Sequence, residues 1–523
     1  MTTLPLHIRE VAERIAREIE KGNIKNKQDL LKYKKFLSRI YKLKRIPSDA
    51  EILAQIDNKE RRERVIGVLQ RKPVRTISGV AIVAVMTSPH ECPHGRCIPC
   101  PGGPPYTPQS YTGKEPAALR AARNKFDPYL QVKDRIKQLQ LIGHPTDKID
   151  MIVMGGTFPA RDFLYQEWFI KRCYDALNMR EAKTLEEAKR FNEEAMHRCI
   201  GLTIETRPDW CRIQHIDKML ELGATRVEIG AQILDDSVLE KMQRGHTTHD
   251  TILATQLAKD AGLKICYHIM PGLPGSDYEN DLKCFQKMFR DQRFRPDMLK
   301  IYPTLVVKPS LLYEMWRRGE YKPITEEEAV ELIAEMKKYV PEWVRIQRIE
   351  RDIPSYLIEE GIKKSNLRQL VHEKLREMGE ECRCIRCREI GHKATKNDDF
   401  ELKKREYIAS SGKEIFLSIE NDETIVAYCR LRIPFNPHRF EMENAAVVRE
   451  LKVHGAMVEI GKRDDSKWQH RGYGKILMEE AERIAMKYKK ERLLVLSGVG
   501  AKPYYRKLDY YDYGIYMAKD LAE

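Results

Sequence analysis

Six short apolar runs punctuate the middle of this chain, each followed by a Gly- or Pro-containing turn and then a helical pattern: Val80–Met86, Ile149–Met154, Ile200–Ile204, Arg226–Gly230, Lys264–Met270 and Met298–Tyr302. Strands spaced this way, with helices between them, specify a parallel sheet curling toward an α/β barrel. Six units are two short of the eight that close such a barrel. Active sites of this architecture lie at the C-terminal ends of the strands. The residues there are Gly155-Gly156, Glu205-Thr206-Arg207-Pro208, Gly230-Ala231-Gln232, Pro271-Gly272-Leu273-Pro274-Gly275 and Tyr302-Pro303. Glycines and prolines at these positions let backbone approach a ligand closely.

At 523 residues the chain exceeds one ordinary core, and about two to four domains are expected. The boundaries read as 1–75, 76–340, 341–398 and 399–523. No apolar run approaches the ~18–20 residues of a membrane span, and the N-terminus lacks a signal-peptide stretch. A cytoplasmic protein without a membrane partner is therefore expected. The net charge of +15 is unevenly placed: residues 1–75 hold 20 Lys/Arg against 10 Asp/Glu. Ile8, Val11, Ile15 and Ile19 repeat at helical spacing there, so the segment reads as a basic helical module. Such a surface attracts a phosphate backbone, although a solvated Lys-rich helix face has the same composition.

Twelve cysteines in a cytosolic chain are metal ligands, reactive thiols or core fillers before they are disulfides. Cys92, Cys97 and Cys100 follow the first strand within nine residues. Three thiolates so placed can hold three irons of a [4Fe–4S] cube and leave the fourth open to S-adenosylmethionine (SAM). A zinc ion with His94 as a further ligand fits the spacing equally well. The position of the triplet after strand one, with Gly155-Gly156 after strand two to meet a SAM amine, favours the cluster. Glu205 and Arg207 complete the candidate SAM site.

The string CPHGRCIPCPGG, then Gln109-Ser110-Tyr111-Thr112-Gly113-Lys114-Glu115-Pro116, MGGTF, GLTIETRPDWC, RGHT and MPGLPGSD, resembles the radical-SAM domain of the catalytic subunit of Elongator. That family modifies the wobble uridine of tRNA. Four residues separate the first two cysteines, as in its short-loop, single-subunit members. The resemblance implies Cys92, Cys97 and Cys100 as cluster ligands; the single cysteines 173, 199, 211, 266, 284 and 429 read as core.

From about Asp399 the habits change to alternating strands of antiparallel character, namely Ile415–Ile419, Thr424–Arg432, Val447–Val453 and Leu493–Ser497. Gln469-His470-Arg471-Gly472-Tyr473-Gly474 opens a helix whose apolar residues Leu477, Ala481, Ile484, Ala485 and Tyr488 share a face. Glycines at a helix start present free N–H groups to a pyrophosphate. A strand and Met457–Gly461 precede this motif, and Gly498-Val499-Gly500 with Tyr504-Tyr505 follows. That order resembles the GNAT acetyltransferase fold. The resemblance implies acetyl-CoA contacts at Glu450, Leu451, Lys452, Val453, Tyr473, Gly474, Lys475 and Tyr505, with Lys148 of the barrel, and assigns catalytic contact to Tyr504 and Tyr505. Aromatic packing at a domain seam explains the two tyrosines equally well.

Cys382, Cys384 and Cys387 lie between the domains. A structural zinc is the simplest reading, with His392, His372 or Cys266 as fourth ligand; a second iron–sulfur cluster is the alternative. The expected architecture is thus α/β: a partial (β/α)6 radical-SAM barrel with a basic helical N-terminal module and a C-terminal GNAT-type α+β domain. The resemblance implies a tRNA uridine(34) enzyme in which a SAM-derived radical activates the acetyl methyl of acetyl-CoA, with the reaction at the seam between the domains. It also admits accessory subunits. The competing reading is a lysine N-acetyltransferase with a structural metal cluster, using Glu459 or Glu450 as base.

Overall fold

The computed structural model describes residues 6–43, 45–70, 79–390, 399–454 and 472–521. Gln469 to Arg471 of the glycine motif, the run 457–461, Glu459 and His392 lie outside them. Parallel strands alternate with helices as the spacing required: β1 (Ala81–Met86), β2 (Lys148–Met154), β3 (Arg198–Thr206), β4 (Arg226–Gln232), β5 (Lys264–Ile269) and β6 (Met298–Ile301) pair in chain order. A seventh parallel strand, β7 (Arg345–Ile349), adds beside β6 within the segment expected to be linker. Its sequence, Arg-Ile-Gln-Arg-Ile, is too polar to read as a buried parallel strand.

The two faces of this curled sheet differ. Ile149, Met151, Val153, Val227, Ile229, Ile265, Tyr267, Leu299 and Ile301 point outward into the main core under the helices. Their alternates on the concave face are mostly polar, and those near its edges are only partly covered while Thr203, Glu228 and Cys266 are buried. On β2 the inward residues Lys148, Asp150, Ile152 and Met154 are half-buried while every outward one is fully buried; Lys264 and His268 of β5 are likewise half-buried. A period of two produces this split.

The N-terminal module is four helices, Leu6–Glu20, Lys27–Ile40, Asp49–Ala54 and Lys59–Leu69, around a small core of Val11, Ile15, Leu30, Leu37, Ile52, Leu53 and Val65. Asn26 and Asn58 cap two of them and Ser48–Glu51 forms a capping box, each satisfying N–H groups that a helix start leaves free.

The C-terminal sheet contains β8 (Glu401–Ala409), β9 (Gly412–Glu420), β10 (Ile425–Ile433), β11 (Ala445–Val453), β12 (Arg492–Val495), β13 (Tyr511–Tyr513) and β14 (Tyr516–Asp520), in the order β8-β9-β10-β11-β12-β14-β13. All neighbours are antiparallel except β11 and β12. That pair departs from the antiparallel expectation because the helix Tyr473–Lys487 lies between its strands in sequence, and a crossover helix returns the chain in the same direction. Their pairing ends at Val448–Val495, while β11 runs on to Val453. A bulge at Arg449 interrupts β11: Arg430 pairs with Glu450 and Leu431 with Val448, leaving Arg449 as the extra residue.

This sheet packs against the N-terminal ends of the barrel strands. A side chain at Gly262 would meet Val447 and Leu496; one at Gly498 would strike the Ile200 backbone, and one at Gly500 would strike Arg198. Four cations (Lys259, Arg430, Arg432, Arg449) and four anions (Asp260, Asp297, Glu414, Glu450) fill the seam. Arg449 donates to both Asp297 carboxylate oxygens (2.7 and 2.6 Å), to Glu414 (2.8 Å) and to the Leu263 carbonyl (2.9 Å). Arg432 joins Asp260 (2.6 Å) to Glu414 (2.8 Å), and Arg430 donates to Glu450 (2.8 Å).

Candidate active site

The cysteine triplet sits where the fold places chemistry, in the loop after β1 at the C-terminal ends of the strands. Cys92, Cys97 and Cys100 are buried and aimed among donors. Gln109 Nε2 donates to Cys100 Sγ (3.0 Å), Arg244 Nη1 to Cys97 Sγ (3.3 Å), and Thr157 Oγ1 is 3.6 Å from Cys92 Sγ. His94 Nε2 stands 2.9 Å from Cys97 Sγ. Burial, with Arg207 and Arg244 alongside, pushes His94 down to about 3, so its ring is neutral. Burial raises the Cys92 thiol, which a bound metal would offset by stabilising the thiolate. Three buried sulfurs ringed by donors fit a cluster, whose sulfurs such hydrogen bonds tune.

Gly156 adopts φ +77°, and a Cβ there would lie 3.0 Å from the Gln109 carbonyl and 3.6 Å from Cys92 Sγ. The glycine pair thus presses its backbone against the cluster loop. Glu205 accepts from the buried Tyr111 hydroxyl (2.6 Å). Arg207, 1% exposed, is held by Asp209 (2.8 and 2.9 Å) and the Arg244 carbonyl (2.7 Å). All four residues expected at the SAM site therefore stand at this end of the barrel, Arg207 in the loop after β3 with its guanidinium bound to the loop that carries Arg244.

The residues expected to meet acetyl-CoA gather at the opposite end. Gly474, in the first turn of the helix Tyr473–Lys487, stands beside the half of β11 that β12 does not reach: a Cβ on it would come within 2.6 Å of the Tyr504 hydroxyl and 3.7 Å of Val453. Tyr504 is 41% exposed, whereas Tyr505 is buried in the domain's own core and Leu451 packs against that core. Tyr473 is half-buried and Lys475 is exposed, pairing with Glu479. Glu450 and Lys452 face the barrel. Burial lowers Lys452, with Arg345, Glu389, Glu450 and Asp150 as its charged neighbours. Lys148 opens β2 beside Arg198 at this same end, and burial lowers it too. The seam and the cysteine loop are thus separated by the length of the barrel.

Sequence reasoning passed over the concave face between them. Glu228 accepts from His268 Nε2 (2.8 Å) and from Lys300, and Arg226 donates to Asp150 (3.1 Å). The signal was polar or charged residues in step with the strand period of otherwise apolar runs: Arg226 and Glu228, Lys264, Cys266 and His268, and Lys300. Cys266 belongs to this face, beside Glu228 and His268, and not to the hydrophobic core.

The sulfurs of Cys382, Cys384 and Cys387 lie within 4.8 Å of one another, and Cys384 and Cys387 are 3.5 Å apart. A tetrahedral zinc with bonds of ~2.3 Å spaces its thiolates at about 3.8 Å. His372 Nε2 stands 3.7 Å from Cys387 Sγ, next to the buried Lys337 ammonium (2.7 Å). Burial and Lys337 push His372 down to about 4, leaving the neutral ring a metal requires.

A curled parallel sheet with three cysteines after its first strand, joined to a sheet that parts at a glycine-led helix, defines a radical-SAM enzyme fused to a GNAT acetyltransferase. The radical SAM superfamily matches residues 88–286, the Radical_SAM C-terminal domain 296–377, the acetyltransferase (GNAT) family 381–510 and the ELP3 N-terminal domain 8–77. The chain belongs to the Elongator complex protein 3 family, which includes the archaeal tRNA uridine(34) acetyltransferases. It is 52% identical over 527 residues to the tRNA uridine(34) acetyltransferase of Methanocaldococcus jannaschii, covering 98% of this chain and 97% of that one. Elongator complex protein 3 of Homo sapiens is 42% identical over 511 residues, covering 94% and 93%. The solved archaeal Elp3 of Methanocaldococcus infernus, with an N-terminal deletion (1–46), superposes with a TM-score of 0.76 at 49% identity, over 85% of this chain and all of that one. No helix among the described residues is long and apolar enough to cross a membrane.

Proposed function

We propose that this enzyme installs a carboxymethyl group at C5 of the wobble uridine, U34, of tRNA, taking the two carbons from acetyl-CoA. The observation that carries this reading is that a buried thiol triplet ringed by donors and a glycine-led helix start stand at the two ends of one curled sheet, in domains locked together by the buried ion network of the seam. A lysine acetyltransferase needs no such sheet and no loop of donors around three thiols. Cys92, Cys97 and Cys100 would hold a [4Fe–4S] cluster, which when bound would supply the electron for reductive cleavage of SAM and so the means to activate an acetyl methyl. SAM, acetyl-CoA, uridine and water then balance against methionine, 5′-deoxyadenosine, CoA, carboxymethyluridine and a proton; the initiating electron returns when the C5 hydrogen leaves as a proton.

The chain's own residues bind, orient and shield. Gly155 and Gly156 offer backbone to the SAM methionine, and Glu205, with Arg207 behind it, borders the same space. Val453, Gly474 and Tyr504 cradle the thioester arm, with Glu450, Leu451, Lys452, Tyr473, Lys475, Tyr505 and Lys148 around it. Exposed cations of the N-terminal helices, among them Arg9, Lys21 and Lys27, suit a tRNA backbone, which must present its base unstacked. Cys382, Cys384 and Cys387, with His372 alongside, would hold a zinc that would tie β7 to the C-terminal domain; a cytoplasmic location suits this substrate.

The test is anaerobic turnover of the reconstituted protein with SAM, dithionite, trideuteroacetyl-CoA and tRNA. Deuterium in 5′-deoxyadenosine and 5-carboxymethyluridine in tRNA are expected, both abolished by Cys97→Ala. Acetylated protein substrates with unchanged tRNA would defeat the reading.

A further inference from the structure

One long edge of the C-terminal sheet has no neighbouring strand. β8 pairs with β9 along its whole length, from Glu401 with Glu420 to Ala409 with Gly412, and stands at the end of the sheet. We infer that its open edge is a docking surface for β8 of a second copy of this chain, the two strands running antiparallel about a two-fold axis at Arg405.

The turn between β8 and β9 decides which backbone groups are open. Ser410 and Ser411 have φ +48° and +61°, the left-handed pair of a two-residue type I′ turn. A hydrogen-bonded pair closes such a turn, here Ala409 with Gly412, and bonded and non-bonded pairs alternate from there. The odd-numbered residues of β8 therefore bond to β9. The amides and carbonyls of Leu402, Lys404, Glu406 and Ile408 point away from the sheet. The Ile408 carbonyl agrees with this phase, because it accepts from Arg295 Nη1 of the barrel domain (2.6 Å). Among the described residues, no hydrogen bond reaches the outward backbone of Leu402, Lys404 or Glu406.

The same four residues carry the exposed side chains. Leu402 is 43% and Ile408 41% exposed, with Lys404 and Glu406 between them. Their odd neighbours turn toward the barrel, where Tyr407 stacks on Trp343 and Arg405 is held by Glu342, Glu420 and Ser418. A bare strand edge is a template for another strand. Centred on Arg405, an antiparallel copy sets Lys404 opposite Glu406 and Leu402 opposite Ile408, each on both sides of the axis. Directly opposed positions are where cross-strand pairs act. Only outward-pointing groups meet in this register, giving about six backbone hydrogen bonds with the Ile408 carbonyl left to Arg295.

Other registers fail. Sliding the copy by two residues sets Lys404 against Lys404 or Glu406 against Glu406. Sliding it by one offers odd-numbered residues already bonded to β9. Arg405 meets Arg405 at the axis, but each guanidinium is neutralised by its own Glu342 and Glu420. Natural edges are blunted by lysines, which repel a copy; here one lysine and one glutamate stand in the order a two-fold axis matches. Their contacts within the chain, Lys404 with Glu406 (2.9 Å) and Glu406 with Lys413 (3.7 Å), are solvent-accessible pairs of the weak kind. A single-strand contact is small beside the ~1,600 Å² of a standard interface, so the dimer should form at roughly tens of micromolar.

Sedimentation equilibrium of the full chain from about 5 to 200 µM reads this association. Lys404→Glu puts an acid opposite Glu406 of the copy at both positions, and Glu406→Lys sets lysine against lysine. Each should raise the dimer dissociation constant about tenfold. An equal mixture of the two variants restores opposite charges at every position and should dimerise at least as tightly as wild type. That rescue, with circular dichroism of each variant, separates a lost interface from a lost fold. A wild-type chain that stays monomeric at the highest concentration would overturn the inference and leave the edge to solvent or to a strand of another protein. Dimers that both single variants retain, or a mixture of folded variants that stays monomeric, would overturn it as well.

Discussion

Replacing Arg449 with methionine tests what couples the two domains. The guanidinium, fully buried, makes four hydrogen bonds: two to Asp297 and one to the Leu263 carbonyl on the barrel side, one to Glu414 on its own. Methionine keeps much of the volume but leaves two buried carboxylates short of a partner. Removing one member of a buried ion pair costs about 3–5 kcal/mol, and Lys259, 3.2 Å from Asp297, keeps the expectation inside that range. The cost depends on pH. Burial opposes ionisation of Asp297 and Glu414, but Arg449 with its neighbours outweighs it and holds both below the ordinary carboxylate range, Glu414 at about 2. Groups with depressed folded values stabilise above their unfolded pKa of ~4 and lose that contribution as pH falls toward 2. The wild-type advantage should be full at pH 7 and shrink below pH 4. Guanidinium unfolding followed by far-ultraviolet circular dichroism and by tryptophan fluorescence measures it. Four of the five tryptophans, Trp168, Trp210, Trp316 and Trp343, precede the C-terminal sheet, so fluorescence follows mainly the barrel, and the probes should coincide in wild type and separate in the variant as the C-terminal domain unfolds first. A loss below 1 kcal/mol, or coincident transitions at an unshifted midpoint, would refute the argument.

Gly156→Ala should weaken SAM binding at least tenfold, because φ +77° and a Cβ 3.0 Å from the Gln109 carbonyl displace the backbone; equilibrium binding to the reconstituted protein checks it. Asp281, accepting from Gly272 N and Ser276 Oγ, is pushed up to about 6 by burial. Its contribution is present below pH ~4 and lost as pH rises through 6, so Asp281→Asn should gain roughly 2–3 kcal/mol over wild type at pH 8 and little at pH 4 in denaturant titrations. Cys384→Ser should lose zinc by elemental analysis and lower the thermal midpoint while 5′-deoxyadenosine formation persists.

The outward half of the barrel was plain in the sequence, because apolar runs such as Ile149–Met154 and Leu299–Ile301 bury one face under helices and announce themselves as strands. The inward half was not. Arg226, Glu228, His268 and Lys300 sit at alternate positions inside those runs, where a charge looks like an interruption until the register shows that all of them share a face. β7 was missed for a related reason: Arg345-Ile346-Gln347-Arg348-Ile349 lends its polar residues to that face. The cysteine triplet and the glycine pair were legible because local spacing decides them. Arg244, 147 residues from Cys97, reaches the cluster loop only through tertiary folding. Tyr504 and Tyr505 looked interchangeable as neighbours; their helical turn sends one to Gly474 and the other into the core.

The bulge at Arg449 sets the phase of everything downstream of it. Before it, Ala446 and Val448 point into the C-terminal core; after it, Leu451 and Val453 do, and Glu450 and Lys452 turn toward the barrel. Delete one residue there and strict alternation would exchange the two sets, sending a carboxylate and an ammonium into oil and two aliphatics to the mouth of the barrel. A frame of a single residue, chosen midway along one strand, decides whether two enzymes in one chain can address each other.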